Sequence, residues 1–148
     1  FQSGNMVCTG AKSLLESRLA ARKYCSLFQQ VGIPVSFNHF KIQNIVASAD
    51  VGFTIKLQEL SETYGPYVQY EPDLFPGLIL RSIQPKLVFL IFRSGKINIT
   101  GGKKVEDVER TYHTLYTNII VNYKDIDGST SSSSVYRSNI RQQKLRNV

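Results

Sequence analysis

Residues 92–103 read FRSGKINITGGK, and residues 1–12 read FQSGNMVCTGAK. The two phrases share Phe, Ser, Gly, Thr, Gly and Lys at the same spacing. In each phrase the Ser-Gly pair predicts a tight turn between two short strands, and the second glycine predicts a further turn. We call these stretches the first and second copies of a repeat phrase. They indicate that the chain contains two units of one strand-rich design.

A proline-free stretch that predicts a helix follows each copy. After the second copy, apolar side chains recur at three- and four-residue steps along one helical stripe: Val105, Val108, Tyr112, Leu115, Tyr116, Ile119 and Tyr123. After the first copy, Ser13 and Glu16 have the spacing of a capping box, which predicts a helix start. That helix is expected to end near Gly32, with Pro34 beyond it.

The segment between the two units predicts further strands. Alternation and turn residues indicate a strand at 40–48, a weak helix at 53–64, a short strand at 67–71, and stronger strands at 78–83, 86–93 and 96–100. The predicted fold class is α+β, with an antiparallel sheet and helices on one face. The predicted divisions are 1–39, 40–125 and a flexible, serine-rich basic tail at 126–148.

One face of this sheet is expected to be apolar and exposed, because 87–92 is apolar on both sides while helices are available for only one. Period two groups the residues of this exposed face in pairs: Leu90 with Phe92, Asn98 with Thr100, Ile79 with Arg81, and Asn44 with Val46. Rimmed by Lys86, Lys96 and Lys103, such a face suits a DNA minor groove. The pattern alone favours ordinary core packing, and it also favours a core position for Phe75.

Composition limits the other functional classes. The chain has 148 residues, enough for one domain, and a formal charge of +7, which makes a polyanion a candidate partner. Residues 41–75 carry two cations and five anions, which indicates a second surface with a different partner. Two cysteines and two isolated histidines predict neither a zinc site nor a catalytic centre, so we expect no cofactor and no enzyme. No membrane span or signal peptide is expected.

The motifs FKIQNIV (40–46), YEPDLFPGLILR (70–81) and LIFRSGKINITGGK (90–103) closely resemble the second repeat of the TATA-box-binding protein family. SGNMVCTGAKS and GIP resemble the end of its first repeat and the linker. The resemblance runs from residue 1 to about residue 124 and implies a saddle of two similar halves. The resemblance implies a curved antiparallel sheet on the underside of this saddle and helices on its upper side. It also implies a nuclear transcription initiation factor that binds TATA-type DNA through the minor groove.

The resemblance implies a role for each matching residue. It implies wedges between base pairs at Phe75, Phe92 and Phe1, and a central polar reader at Asn44. It implies groove or phosphate contacts for a larger set: Val7, Thr9, Lys12, Val46, Ile79, Arg81, Leu90, Ser94, Lys96, Asn98, Thr100 and Lys103. It implies contact with transcription factor IIB at Glu71, Asp73 and Leu74. It implies contact with transcription factor IIA and TBP-associated factors at Arg18, Arg22 and Lys23, which equally fit a solvated helix face.

Two departures from the family pattern keep an alternative open. Asn98 stands where the family has Val, and the first repeat is expected to be truncated. Truncation would expose strand edges that favour a homodimer, and the chain alone would then bind TATA DNA poorly. The main interpretation is a DNA-binding initiation factor. The alternative is a related protein that mainly binds other proteins, with weak or altered DNA binding.

Overall fold

The computed structural model describes residues 1–126 and 145–146. Within them the strands are β1 (Thr9–Ala11), β2 (Ile45–Asp50), β3 (Val68–Gln69), β4 (Gly77–Ser82), β5 (Leu87–Phe92), β6 (Lys96–Gly102) and β7 (Leu145–Arg146). The helices are α1 (Leu14–Gln30), α2 (Leu57–Tyr64) and α3 (Val105–Asn118), with short 3₁₀ turns at Gly65–Tyr67 and Ile120–Tyr123.

Five of the strands form one open antiparallel sheet in the order β2-β6-β5-β4-β3. Strand β1 lies outside it and pairs antiparallel with β7 in a separate two-stranded sheet. The predicted flexible tail falls on residues that lie outside the described part of the chain, apart from Ile126 and the β7 backbone. The α+β prediction, with an antiparallel sheet, is confirmed.

The core lies between one face of the five-stranded sheet and the helices α2 and α3. Burial alternates along β5, where Leu87, Phe89 and Ile91 are buried and the residues between them are half-buried. The core is made by the inward residues of the sheet with apolar residues of the helices and their flanks: Ala47, Ala49, Leu78, Ile97, Ile99, Ile55, Leu57, Leu60, Val108, Tyr112, Leu115 and Ile120. The helical stripe predicted from the sequence thus covers the core on the side opposite the sheet.

Helix α1 begins at the predicted capping box. The Ser13 Oγ accepts a hydrogen bond from the Glu16 N–H at 3.1 Å, and the Glu16 carboxylate accepts one from the Lys12 N–H at 2.9 Å. The helix ends at Gln30, just before Gly32, which has φ +82°. Only Ser17, Ala21 and Cys25 of this helix are buried.

Several predicted boundaries were wrong, including that of the weak helix, which begins at Leu57 instead of residue 53. Strand β2 begins at Ile45 instead of residue 40, because Ile45 pairs with Gly102, the last residue of the partner strand β6. Helix α3 ends at Asn118, and the chain then turns back so that the Tyr123 carbonyl accepts from the Lys56 N–H at 2.9 Å. The strand of the first copy is only three residues long, because β1 lies outside the five-stranded sheet.

Candidate nucleic-acid interface

The five-stranded sheet leaves one of its faces uncovered by α2 and α3. Register places Ile79 opposite Leu90, Leu90 opposite Asn98, and Asn98 opposite Ser48, so that one row of side chains crosses four strands. We call this surface the exposed sheet face. All of its side chains are half-buried or exposed. The face consists of Val46, Ser48, Ile79, Arg81, Val88, Leu90, Phe92, Lys96, Asn98 and Thr100.

Two aromatic rings meet at one end of the exposed sheet face. The Phe75 and Phe92 ring centroids are 5.9 Å apart in an edge-to-face arrangement, and Phe75 is 38% exposed. Gly77 lies beneath both rings: a Cβ there would come within 2.7 Å of Phe75 Cε1 and 3.0 Å of Phe92 Cε1. The missing side chain therefore lets the two rings lie together against the sheet. Phe75 does not join the core that the pattern alone favoured.

A polar group lies at the β2–β6 side of the face. The Asn44 Oδ1 accepts a hydrogen bond from the Gly101 N–H at 2.8 Å, and Asn44 Nδ2 lies 3.3 Å from Thr100 Oγ1. A backbone N–H can only donate, so this contact fixes which end of the amide carries the oxygen. The Asn44 side chain is therefore held in one orientation, with its oxygen directed at the β6 backbone.

Cations surround this face. Arg81 and Lys96 are exposed at the far end of β4 and the start of β6, while Lys86 and Lys103 are exposed in the flanking turns. Ser94 lies in the tight turn between β5 and β6, where the Gly95 N–H donates to the Phe92 carbonyl at 3.0 Å. The apolar surface therefore has a positively charged border, which favours a partner that carries phosphates.

An acidic loop precedes the aromatic pair. Glu71 and Asp73 are exposed, and Leu74 is 80% exposed at the loop tip. The Glu71 carbonyl accepts hydrogen bonds from the backbone N–H groups of Leu74 and Phe75, at 3.0 and 2.9 Å. This turn presents Leu74 outward while Phe75 reaches back over Gly77.

The predicted site residues of the first copy are not brought together with the exposed sheet face. Phe1 and Val7 lie before β1, Thr9 lies within it and Lys12 directly follows it, all outside the five-stranded sheet. The cations Arg18, Arg22 and Lys23 are exposed on α1. The Arg22 guanidinium carbon lies 5.8 Å from the Phe37 ring centroid, so that this side chain packs on the following linker.

Sequence reasoning missed three residues of this surface. Val88 and Ser48 lie on the exposed sheet face, and the same period-two rule that grouped Leu90 with Phe92 would have found both. Gly77 gives no local signal, because its role depends on rings from two other positions. Among the described residues, no group of three or more His, Cys, Asp or Glu could hold a metal ion. In the same part of the chain, no helix combines the length and apolarity needed to cross a membrane.

Comparisons with known proteins identify the family. Residues 39–120 match the model of the family described as transcription factor TFIID, or TATA-binding protein. The TATA-box-binding protein 1 of Triticum aestivum is 53% identical over 116 residues, which are 78% of this chain and 50% of that protein. The TATA-box-binding protein of Acanthamoeba castellanii is 52% identical over 124 residues, which are 84% of this chain and 48% of that protein.

Structural similarity agrees with the sequence matches. The solved structure of Methanococcus jannaschii TBP is similar with a TM-score of 0.68 and 40% identity, covering 78% of this chain and 68% of that one. The chain spans about half the length of the curated relatives it matches. The exposed sheet face, its aromatic pair and these matches lead to one conclusion: this chain belongs to the TATA-binding protein family.

Proposed function

We propose that the exposed sheet face binds double-stranded DNA through the minor groove of TATA-type sequences, as part of a nuclear transcription initiation factor. The observation that carries the proposal is the Phe75–Phe92 pair, held over Gly77 at the end of an apolar sheet face with a cationic border. Family membership supports it, because the matched relatives are named for TATA-box binding.

The aromatic pair would act as a wedge that opens a base step. Unstacking one step costs a few kcal/mol in minor-groove proteins, this family included. Burial of apolar side chains such as Ile79, Leu90 and Val88 against the opened groove would offset that cost. Phosphate contacts from Arg81, Lys96 and Lys103 would add a salt-dependent attraction. TA steps deform easily, so a preference for TATA-type DNA follows partly from the deformation itself.

Asn44 would supply a polar contact in the groove. With Oδ1 accepting from the Gly101 N–H, the Nδ2 group is the end of the amide that can donate to a partner. The minor-groove edges of A·T pairs carry the acceptors adenine N3 and thymine O2. A fixed donor therefore fits A·T pairs in either order. The Thr100 hydroxyl lies beside it and would make a second polar contact.

The remaining predicted partners belong to the same proposal. The exposed Leu74, with Glu71 and Asp73, fits contact with transcription factor IIB, and the basic face of α1 fits transcription factor IIA or TBP-associated factors. A homodimer through exposed strand edges stays a prediction. The second candidate function is a protein-interaction platform with altered DNA binding. The observation that favours it is an amide, Asn98, beside Leu90 in the row of side chains that crosses the face.

Energy transfer across labelled duplexes tests the proposal. Donor and acceptor dyes at the two ends of a TATA-type duplex report bending, and a scrambled duplex of the same composition is the control. Low salt and a high protein concentration offset the weak binding expected of this chain alone. Under these conditions the 148-residue chain is expected to bend the TATA-type duplex, and Phe75→Ala is expected to abolish bending. Leu74→Ala changes an exposed side chain of the same loop and should leave bending intact.

The two candidate functions give different results in this assay. If the parent chain and Phe75→Ala both bind the duplex but neither bends it, minor-groove wedging is wrong. It is also wrong if neither protein binds any duplex at low salt. Binding of transcription factor IIB that persists under those conditions, and that Leu74→Ala weakens, would then support the protein-interaction platform.

A further inference from the structure

Asn98 occupies the centre of the exposed sheet face. It lies opposite Leu90 on one neighbouring strand and Ser48 on the other, one same-face step inward from the level of Phe92. Its side chain is exposed, and no side-chain hydrogen bond engages its amide among the described residues. The equivalent position in the first copy of the repeat phrase is Val7. The second copy therefore has an amide where the first copy has a hydrocarbon side chain.

The two asparagines of this face differ in what their amides can offer. The Asn44 oxygen accepts from the Gly101 N–H at 2.8 Å and lies 3.5 Å from the Thr100 hydroxyl, so both of its lone pairs have a neighbouring donor and its NH₂ group is the end left for a partner. Asn98 lies on the same face with both its carbonyl oxygen and its NH₂ group open. An open carbonyl oxygen can accept a hydrogen bond from a partner, which no aliphatic side chain in the row can do.

The minor groove has one group that needs such an acceptor. A·T pairs show only acceptors there, while a G·C pair adds the guanine N2 amino donor. Valine facing that amino group would leave it desolvated without a partner, which penalises G·C. The Asn98 oxygen can accept from it, and the Asn98 NH₂ can still donate to adenine N3 or thymine O2 at an A·T pair.

We infer that Asn98 is a specificity-determining residue that allows a G·C pair at one position of the bound element. This inference rests on the proposed minor-groove binding by the exposed sheet face. The tolerant position lies inside the step opened by Phe75 and Phe92, because Asn98 lies inward of Phe92 along the sheet. The preferred element of this protein is therefore TATA-like with one degenerate position.

Competition binding with modified duplexes tests the inference. Each A·T pair of a TATA-type element is replaced in turn by G·C and, separately, by inosine·C, which lacks the N2 amino group and its hydrogen bond to cytosine but keeps the major-groove edge of G·C. Fluorescence anisotropy at low salt gives the affinity of the 148-residue chain and of Asn98→Val for each duplex. Valine suits an exposed strand position, so the fold should persist, which circular dichroism checks.

At one position, the parent chain should bind the G·C duplex as well as the inosine·C duplex or better. Asn98→Val should there prefer inosine·C over G·C, so that the ratio of the two affinities changes by about 5- to 10-fold. Asn98→Ala, which removes the amide without adding hydrocarbon, should lose the tolerance as well.

The outcomes separate this inference from the proposed function. If the parent chain binds the TATA-type duplex but its ratio of G·C to inosine·C affinity equals that of Asn98→Val at every position, the role of Asn98 is wrong and minor-groove binding stands. If neither protein binds any duplex, both are wrong.

Discussion

The two copies of the repeat phrase share their turns but differ in their surroundings. Gly4 and Gly95 have φ values of +80° and +87°, and each donates its N–H to the carbonyl of the preceding Phe, at 2.9 and 3.0 Å. The second glycines, Gly10 and Gly101, have φ values of +95° and +97°. Identical turn residues thus give nearly identical turns whatever lies around them.

Strand length and burial do not follow from the phrase. In the second copy, β6 runs for seven residues between two partner strands, and Ile97 is 0% exposed. In the first copy, β1 has three residues, and Met6, the equivalent of Ile97, is 47% exposed. The same contrast holds at the aromatic position. Phe92 packs on Phe75, whereas Phe1 is 84% exposed. Local sequence therefore specifies the turns, whereas the neighbouring strands determine strand length and side-chain burial.

The largest difference in stability between the copies is expected when Ile97 and its equivalent Met6 are each replaced by alanine. Ile97→Ala removes a fully buried side chain from the core and should lower the free energy of unfolding by about 3–4 kcal/mol. Met6→Ala, at the equivalent position, should lower it by under about 1 kcal/mol. Urea unfolding followed by circular dichroism measures both. Equal losses would mean that residues 1–12 pack as tightly as the second copy.

A second difference should appear when each hairpin glycine is replaced by alanine. At Gly4 a Cβ meets nothing within 4 Å, so Gly4→Ala should cost only the strain of a positive φ, about 1 kcal/mol. At Gly95 a Cβ would come too close to the Phe53 carbonyl oxygen, so the backbone must also move. Gly95→Ala should therefore cost about 2–3 kcal/mol.

Thermal unfolding of both glycine variants and the parent chain gives this comparison. An equal decrease in melting temperature for the two variants would contradict it, because it would leave no penalty for the contact with Phe53. Gly95→Ala should also weaken any DNA bending by the chain, since Ser94 and Phe92 flank this turn.

The sequence predicted the features that depend on local chemistry and period. The glycine turns, the start of α1 at Ser13 and the common face of Leu90, Phe92 and Asn98 needed only spacing and residue type. The α+β class followed from strands and helical stripes in known order.

Features that depend on contacts between distant residues could not be predicted. The start of β2 depends on its partner strand, since Ile45 pairs with Gly102 at the end of β6, far along the chain. The exposure of Phe75 depends on the space above Gly77 and on the Phe92 ring. Periodicity describes which side chains share a face, but it does not describe which partner a side chain finds across the fold.

The smallest expected effect concerns the helices that follow the two copies, and here the first unit has the better feature. The helix after the first copy has a side-chain N-cap, which the helix after the second copy lacks. Ser13 caps α1 through the Glu16 N–H, whereas the N-cap of α3 is Lys104, with no side-chain hydrogen bond to the helix. Lys104 has the extended backbone of an N-cap, and Asp107 lies three residues on, as Glu16 does after Ser13.

Placing a serine N-cap at the start of α3 should therefore stabilise the second, better-packed unit. Lys104→Ser is expected to raise the free energy of unfolding by about 0.5–1 kcal/mol and the melting temperature by about 3 °C. Ser13→Ala should remove a similar amount from α1, and Lys104→Ala separates the new cap from the loss of a lysine. A melting temperature for Lys104→Ser no higher than that for Lys104→Ala would show that the N-terminus of α3 gains nothing from a hydroxyl cap. The contrast between the copies would then lie in their partner strands alone.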